Sequence, residues 1–109
     1  MKLVTDGETA AWLAERPSFQ WDAGNSTKSE VKHGHSVEEV ESMMKGNTLL
    51  AGRIIEPDRG EPRWLLLGTS ASGAPLALVF ARRGDLLRPI SCRAMRKNER
   101  RLYGKAIGH

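Results

Sequence analysis

The chain has 109 residues, 39% of them hydrophobic and 28% charged, with a formal net charge of +4 and a single cysteine. Such a chain fits one core and not two, is too rich in apolar residues for wholesale disorder, and cannot be a disulfide-stapled scaffold because Cys92 has no partner. Its longest largely apolar run, Ala74 to Ala81, is far short of a membrane span, and the opening Met1-Lys2-Leu3-Val4 turns polar at Thr5 and Asp6, unlike a signal peptide, so a reducing cytoplasm is the expected compartment.

Residues 5–16 are predicted to be a short helix, with Thr5 and Glu8 at capping-box spacing and Ala10, Trp12 and Leu13 on its apolar side. Pro17 ends it. Phe19-Gln20-Trp21-Asp22 alternates apolar and polar, the pattern of a short strand. Asp22 then suits an N-cap, followed by a weak helix over 23–32 that Gly34 closes. Ser36 and Glu39 form a second capping box ahead of an amphipathic helix over 37–45, with Val37, Val40, Met43 and Met44 at helical spacing.

From Thr48 onward the period changes to that of strands. Leu49–Ile55, Arg63–Thr69, Leu76–Arg82 and Leu86–Cys92 read as four strands, separated by turns at 57–60, 70–73 and 83–85. Pro89 favours an edge or a bulge. A last helix spans Met95 to Lys105, with Met95, Leu102, Tyr103 and Ile107 available for packing. The expected fold is α+β: a four-stranded antiparallel meander with N-terminal helices and a C-terminal helix. Residues 1–18 read as a helical extension of a single domain over 19–109. Strands 63–69 and 76–82 are apolar on both parities, so both faces of the sheet should be covered.

Charge is unevenly spread. Residues 82–105 hold nine of the 17 Lys and Arg but only Asp85 and Glu99 on the acidic side, a surplus of +7, whereas residues 1–81 carry −3. A basic third on a mildly acidic body suits a polyanion; a solvated Arg-rich helix face has the same composition. No metal site stands out, because His33 and His35 lie two apart and do not share a helix face. Phosphate loops, dinucleotide fingerprints and nucleophile elbows are absent from the sequence, and no cofactor is expected. Cys92, in a strand, reads as a small buried apolar residue.

Basic chemistry remains. Cutting RNA without a metal needs a base for the 2′-hydroxyl, cations for the charge gathering on phosphorus and an acid for the leaving 5′-oxygen. Lys32, His33, Arg63, Arg88, Arg93 and Glu99 are the candidate catalytic groups, and Arg96, Lys97, Arg100, Arg101 and Tyr103 the candidate RNA-binding ones. His33 is equally readable as a helix end cap, Glu99 and Tyr103 as an i, i+4 pair, and the arginines as surface.

The order Phe19-x-Trp21-Asp22, Lys32-His33-Gly34 with Ser36-x-Glu38-Glu39, Glu61-x-Arg63, Arg88-Pro89-Ile90-Ser91-Cys92-Arg93-Ala94 and Glu99-Arg100-Arg101-x-Tyr103 resembles the BrnT family of bacterial toxins over residues 19–104. The resemblance implies a compact fold like that of RelE-type toxins. It implies an RNA-cleaving toxin of a type II toxin–antitoxin pair, whose translation arrest is neutralised by a BrnA-like ribbon-helix-helix antitoxin, with operator DNA bound only through that antitoxin. Lys32, His33, Arg63, Arg88, Ser91, Arg93, Glu99, Arg100 and Tyr103 match the family's recurring polar positions. Ser29, His35 and Cys92 depart from its usual Asn, Val and Ala. The competing readings are a non-catalytic nucleic-acid-binding or interaction module on the same fold, and a structural subunit whose apolar sheet face exists for a partner.

Overall fold

A computed structural model describes residues 1–26 and 34–108. Its centre is an antiparallel sheet of five strands in sequential order: β1 (Lys2–Val4), β2 (Thr48–Glu56), β3 (Arg63–Thr69), β4 (Pro75–Arg83) and β5 (Leu86–Ala94). The expected meander is therefore correct in class and one strand short. The addition is β1, which pairs with β2 through Leu3 opposite Ile54. Three residues are too few to display a period, and their partner lies some fifty residues away, so nothing local announces them.

Around the sheet lie α1 (Gly7–Ala14), α2 (Val37–Ser42), which tightens into a 3-10 turn over Met43–Lys45, and α3 (Lys97–Ile107). The N-cap of α1 is Asp6 rather than Thr5. One Asp6 oxygen accepts from the Thr9 amide at 3.0 Å, while the other accepts from the Thr9 hydroxyl at 2.8 Å and from Trp64 Nε1 at 2.9 Å. An ionised carboxylate has acceptor sites for all three bonds at once, where a threonine hydroxyl offers two. Ser36 caps α2 as expected, accepting from the Glu39 amide.

Residues 19–22 are not a strand. Phe19 makes one parallel bridge to Leu87, with the Leu87 amide donating to Ser18 and the Gln20 amide donating to Leu87. This segment covers part of the outer edge of β5, which an exposed strand would otherwise leave unpaired. Residues 23–26 are helical, and Asp22 caps them by accepting from the Gly24 and Asn25 amides. The rest of the helix expected over 23–32 lies outside the described residues.

Each face of the sheet has its own core. On one, Trp12 and Leu13 of α1 and Val40 and Met43 pack on Trp64, Leu66, Leu78, Phe80, Leu87 and Cys92. Phe80 stacks with Trp64 at 5.6 Å and with Trp12 at 6.4 Å. On the other, Met95 and Tyr103 pack on Leu65, Leu67 and Ala77. Leu102, expected to pack, is instead 47% exposed, because the face of α3 that meets the sheet runs through Glu99, Tyr103 and Ile107 at i, i+4 steps.

Gly52 makes the β1–β2 junction possible. Its φ is +150°, and a Cβ there would stand 2.6 Å from the Val4 carbonyl oxygen. Gly52→Ala is expected to cost about 1–3 kcal/mol from backbone strain alone and to loosen β1. Thermal melting and amide exchange of residues 2–4 test this, and parental values in both would refute the close approach.

Candidate functional site

Side chains on a regular strand alternate, so Arg88 and Arg93, five apart, belong on opposite faces. They share one. The ladder pairs Ala81 with Arg88, Phe80 with Pro89, Val79 with Ser91, Leu78 with Cys92 and Ala77 with Arg93, leaving Ile90 as the extra residue of a bulge. The bulge reverses the parity of the strand. Leu87 and Cys92 therefore point into the first core, while Arg88, Ser91 and Arg93 lie on the face that carries α3.

The pairing of Trp64 with Phe80 sets Arg63 opposite Ala81, on the same face. Arg63 and Arg88 thus flank Ala81 across three strands, about 10 Å apart at Cα. α3 covers the end of this face near Leu67 and Ala77 and leaves the end with Arg63, Val79 and Ser91 open.

At the open end, Arg63, Arg83 and Arg88 line one cleft of about 220 Å³. Arg83 Nε donates to Glu61 at 2.7 Å. That guanidinium holds the Glu61 carboxyl below its usual range and is itself raised by it. Arg88 Nη1 donates to Asp22 at 2.9 Å and to Gln20 at 3.3 Å, and its Nη2 reaches the other Asp22 oxygen at 3.5 Å. The Arg88 hydrogen bond is the main reason that the Asp22 carboxyl lies below its ordinary value. Asn25 fastens residues 23–26 to the bulge by donating to the Gln20 and Pro89 carbonyls. Arg63 differs from its neighbours: its Nε is buried without a hydrogen-bond partner.

Farther along the face, Arg93 grips Glu99 with two parallel bonds of 2.7 and 2.9 Å and donates again to the Ala94 carbonyl at 3.2 Å. Glu99 is only 8% exposed and also accepts from the Arg96 amide at the start of α3. Arg93 holds the Glu99 carboxyl below its usual range, and Glu99 raises Arg93 in return. A guanidinium has five N–H donors. In both Arg88 and Arg93 the intramolecular bonds leave, among the described residues, Nε and one Nη2 hydrogen free. Those two form a side-on fork that matches two oxygens of a phosphate.

Arg96, Lys97, Arg100 and Arg101 are exposed along α3 and make no ion pair among the described residues. Tyr103 is buried in the second core; its hydroxyl donates to the Asn47 carbonyl at 2.7 Å and accepts from Thr69 at 3.2 Å. Lys32 and His33 lie outside the described residues. Cys92 is fully buried, and that burial pushes its thiol up to about 12, so it remains protonated and unreactive at neutral pH. Composition does not single out the site's acidic partners Asp22 and Glu61, although the first stands in Phe19-x-Trp21-Asp22 and the second in Glu61-x-Arg63. In the fold Asp22 stands against Arg88 and Glu61 against Arg83, pairings that spacing alone does not reveal.

No curated protein matches the chain. A family model described as the ribonuclease toxin BrnT of type II toxin–antitoxin systems matches residues 21–99. That span begins at the Trp21-Asp22 side of the cationic cleft and ends on Glu99, so it encloses the whole arginine face while leaving out β1, α1 and most of α3. With most of its length and all of this face inside the match, the chain belongs to the BrnT family of ribonuclease toxins.

Proposed function

We propose that this chain cleaves RNA without a metal, arrests translation and is neutralised in the cytoplasm by a BrnA-like ribbon-helix-helix antitoxin, through which alone it meets operator DNA; its fold is of the RelE type. The observation that supports this most is the arginine face itself, where Arg88 and Arg93 keep side-on forks free and Arg63 keeps a buried donor unpaired. In the proposed reaction a base, Lys32 or His33 by family resemblance, takes the 2′-hydroxyl proton. The 2′-oxygen attacks phosphorus while Arg88 and Arg93 hold the non-bridging oxygens, and an acid protonates the departing 5′-oxygen. Glu99 positions Arg93. Arg96, Lys97, Arg100 and Arg101 follow the RNA backbone, with Tyr103 anchoring their helix.

The decisive experiment offers RNA to the purified chain in EDTA. Fragments ending in a 2′,3′-cyclic phosphate and a 5′-hydroxyl are expected, together with growth arrest on induction that a co-expressed ribbon-helix-helix neighbour relieves. The second reading is a non-catalytic binding module, favoured by the carboxylates that already neutralise Arg88 and Arg93; binding without cleavage would select it. Either way affinity should depend steeply on salt. Four phosphate contacts from α3 predict a roughly fiftyfold loss of single-strand affinity between about 50 and 200 mM salt, measured by fluorescence anisotropy, and a flat response would exclude backbone tracking by α3.

A further inference from the structure

Arg63 stands between two adjoining cavities of different character. On one side is the cationic cleft it shares with Arg83 and Arg88. On the other is a cavity of about 170 Å³ walled chiefly by Met1, Ile54, Val79 and Ile90, with Arg59, Arg63 and Ser91 as its polar lining. The bulged Ile90 borders both. The apolar cavity has several times the volume of a water molecule, the scale of one heterocycle rather than a whole nucleotide. Two of its polar residues hold unspent groups: Arg63 Nε is buried without a partner, and the Ser91 hydroxyl makes no hydrogen bond among the described residues. Buried donors without partners are rare in folded proteins.

We infer that these two cavities hold one nucleotide of single-stranded RNA, its base between Val79 and Ile90 in the apolar cavity and its phosphate in the cleft with Arg83 and Arg88, on opposite sides of Arg63. The inference rests on the ribonuclease reading and gives that site a base pocket. Bases of single-stranded RNA are free to turn out of a stack and enter such a pocket, where a guanidinium plane stacks on them. The Ser91 hydroxyl supplies a hydrogen bond to the edge of the base while the Arg63 guanidinium stacks on its face, and the surplus positive charge next door accounts for the phosphate. A ligand with only one of these parts fills only one cavity.

The test measures binding of the four ribonucleoside 5′-monophosphates, the corresponding nucleosides and inorganic phosphate by calorimetry or amide-shift titration. The parent chain should bind at least one monophosphate about tenfold or more tighter than phosphate or its nucleoside, a difference of ~1.4 kcal/mol. Val79→Phe fills the cavity from β4 and Ile54→Phe fills it from β2. Each folded variant should lose that advantage and keep its affinity for phosphate. A parent that binds nucleotides no better than phosphate overturns the pocket, whatever the variants do. So do folded variants with unaltered nucleotide affinity, and in a chain that still cuts RNA either result leaves the ribonuclease reading standing. Conversely, the expected binding pattern in a chain that cuts no RNA upholds the pocket and overturns the ribonuclease reading.

Discussion

Arg93→Ala is expected to lower RNA cleavage by about 10²–10³, the loss on removing one donor to the transition state, and to destabilise the fold by about 3 kcal/mol. The second effect follows from Glu99. It is nearly buried and takes two of its hydrogen bonds from Arg93, so truncating the arginine strands a carboxylate held only by the Arg96 amide. The two effects separate in the double variant Arg93→Met with Glu99→Gln. It has no buried charge, and the glutamine carbonyl still accepts from Arg96. Melting should recover while cleavage stays lost. Full cleavage in a folded Arg93→Ala or double variant would make Arg93 purely structural. The pair also leaves a mark on acid stability. Arg93 holds Glu99 below the ordinary 4.5, so its contribution is complete above that value and disappears as pH falls through the lower folded one. Glu99→Gln should lack this part of the acid melting profile.

Arg63→Met should do the opposite to stability. Methionine keeps the apolar stem and removes a buried donor that has no partner, so melting is expected at or above the parent's. Cleavage should nevertheless drop by about a hundredfold, because a cation facing the RNA is gone. Arg63 and Arg93 lie on one sheet face, yet their replacements should move stability in contrary directions. An Arg63→Met protein that melts early and cleaves normally would assign Arg63 to packing.

Much of the fold was legible because its signals are local. Trp64-Leu65-Leu66-Leu67 is bounded by Pro62 and by the turn at Ser70, and β3 runs over the predicted residues. Doubly apolar strands called for cover on both faces, and two cores provide it. What escaped depends on distant partners. β1 exists because Gly52 lets it approach, and Asp6 displaced Thr5 as the cap because Trp64 needed an acceptor. The basic third was evident in composition, but its division was not. Arg82 lies over Trp12 at 4.4 Å on the far face, Arg83 pairs with Glu61, and Arg88 and Arg93 turn toward α3. A charge count has no parity, so it cannot sort these groups.

The extra residue at Ile90 explains why a spacing of five joins Arg88 and Arg93 on one face: the ladder steps over it. Strand β5 changes phase there, and everything downstream inherits the new phase: Cys92 inward, Arg93 outward, and Glu99 at the reach of Arg93. Removing that residue would nonetheless leave Cys92 opposite Leu78, Arg93 opposite Ala77 and Arg88 opposite Ala81, so the directions of these side chains would survive. What would go is the Ile90 side chain from the rims of both cavities and the local bend and twist that a bulge adds, so the extra residue shapes the hollows of the site rather than the aim of its arginines.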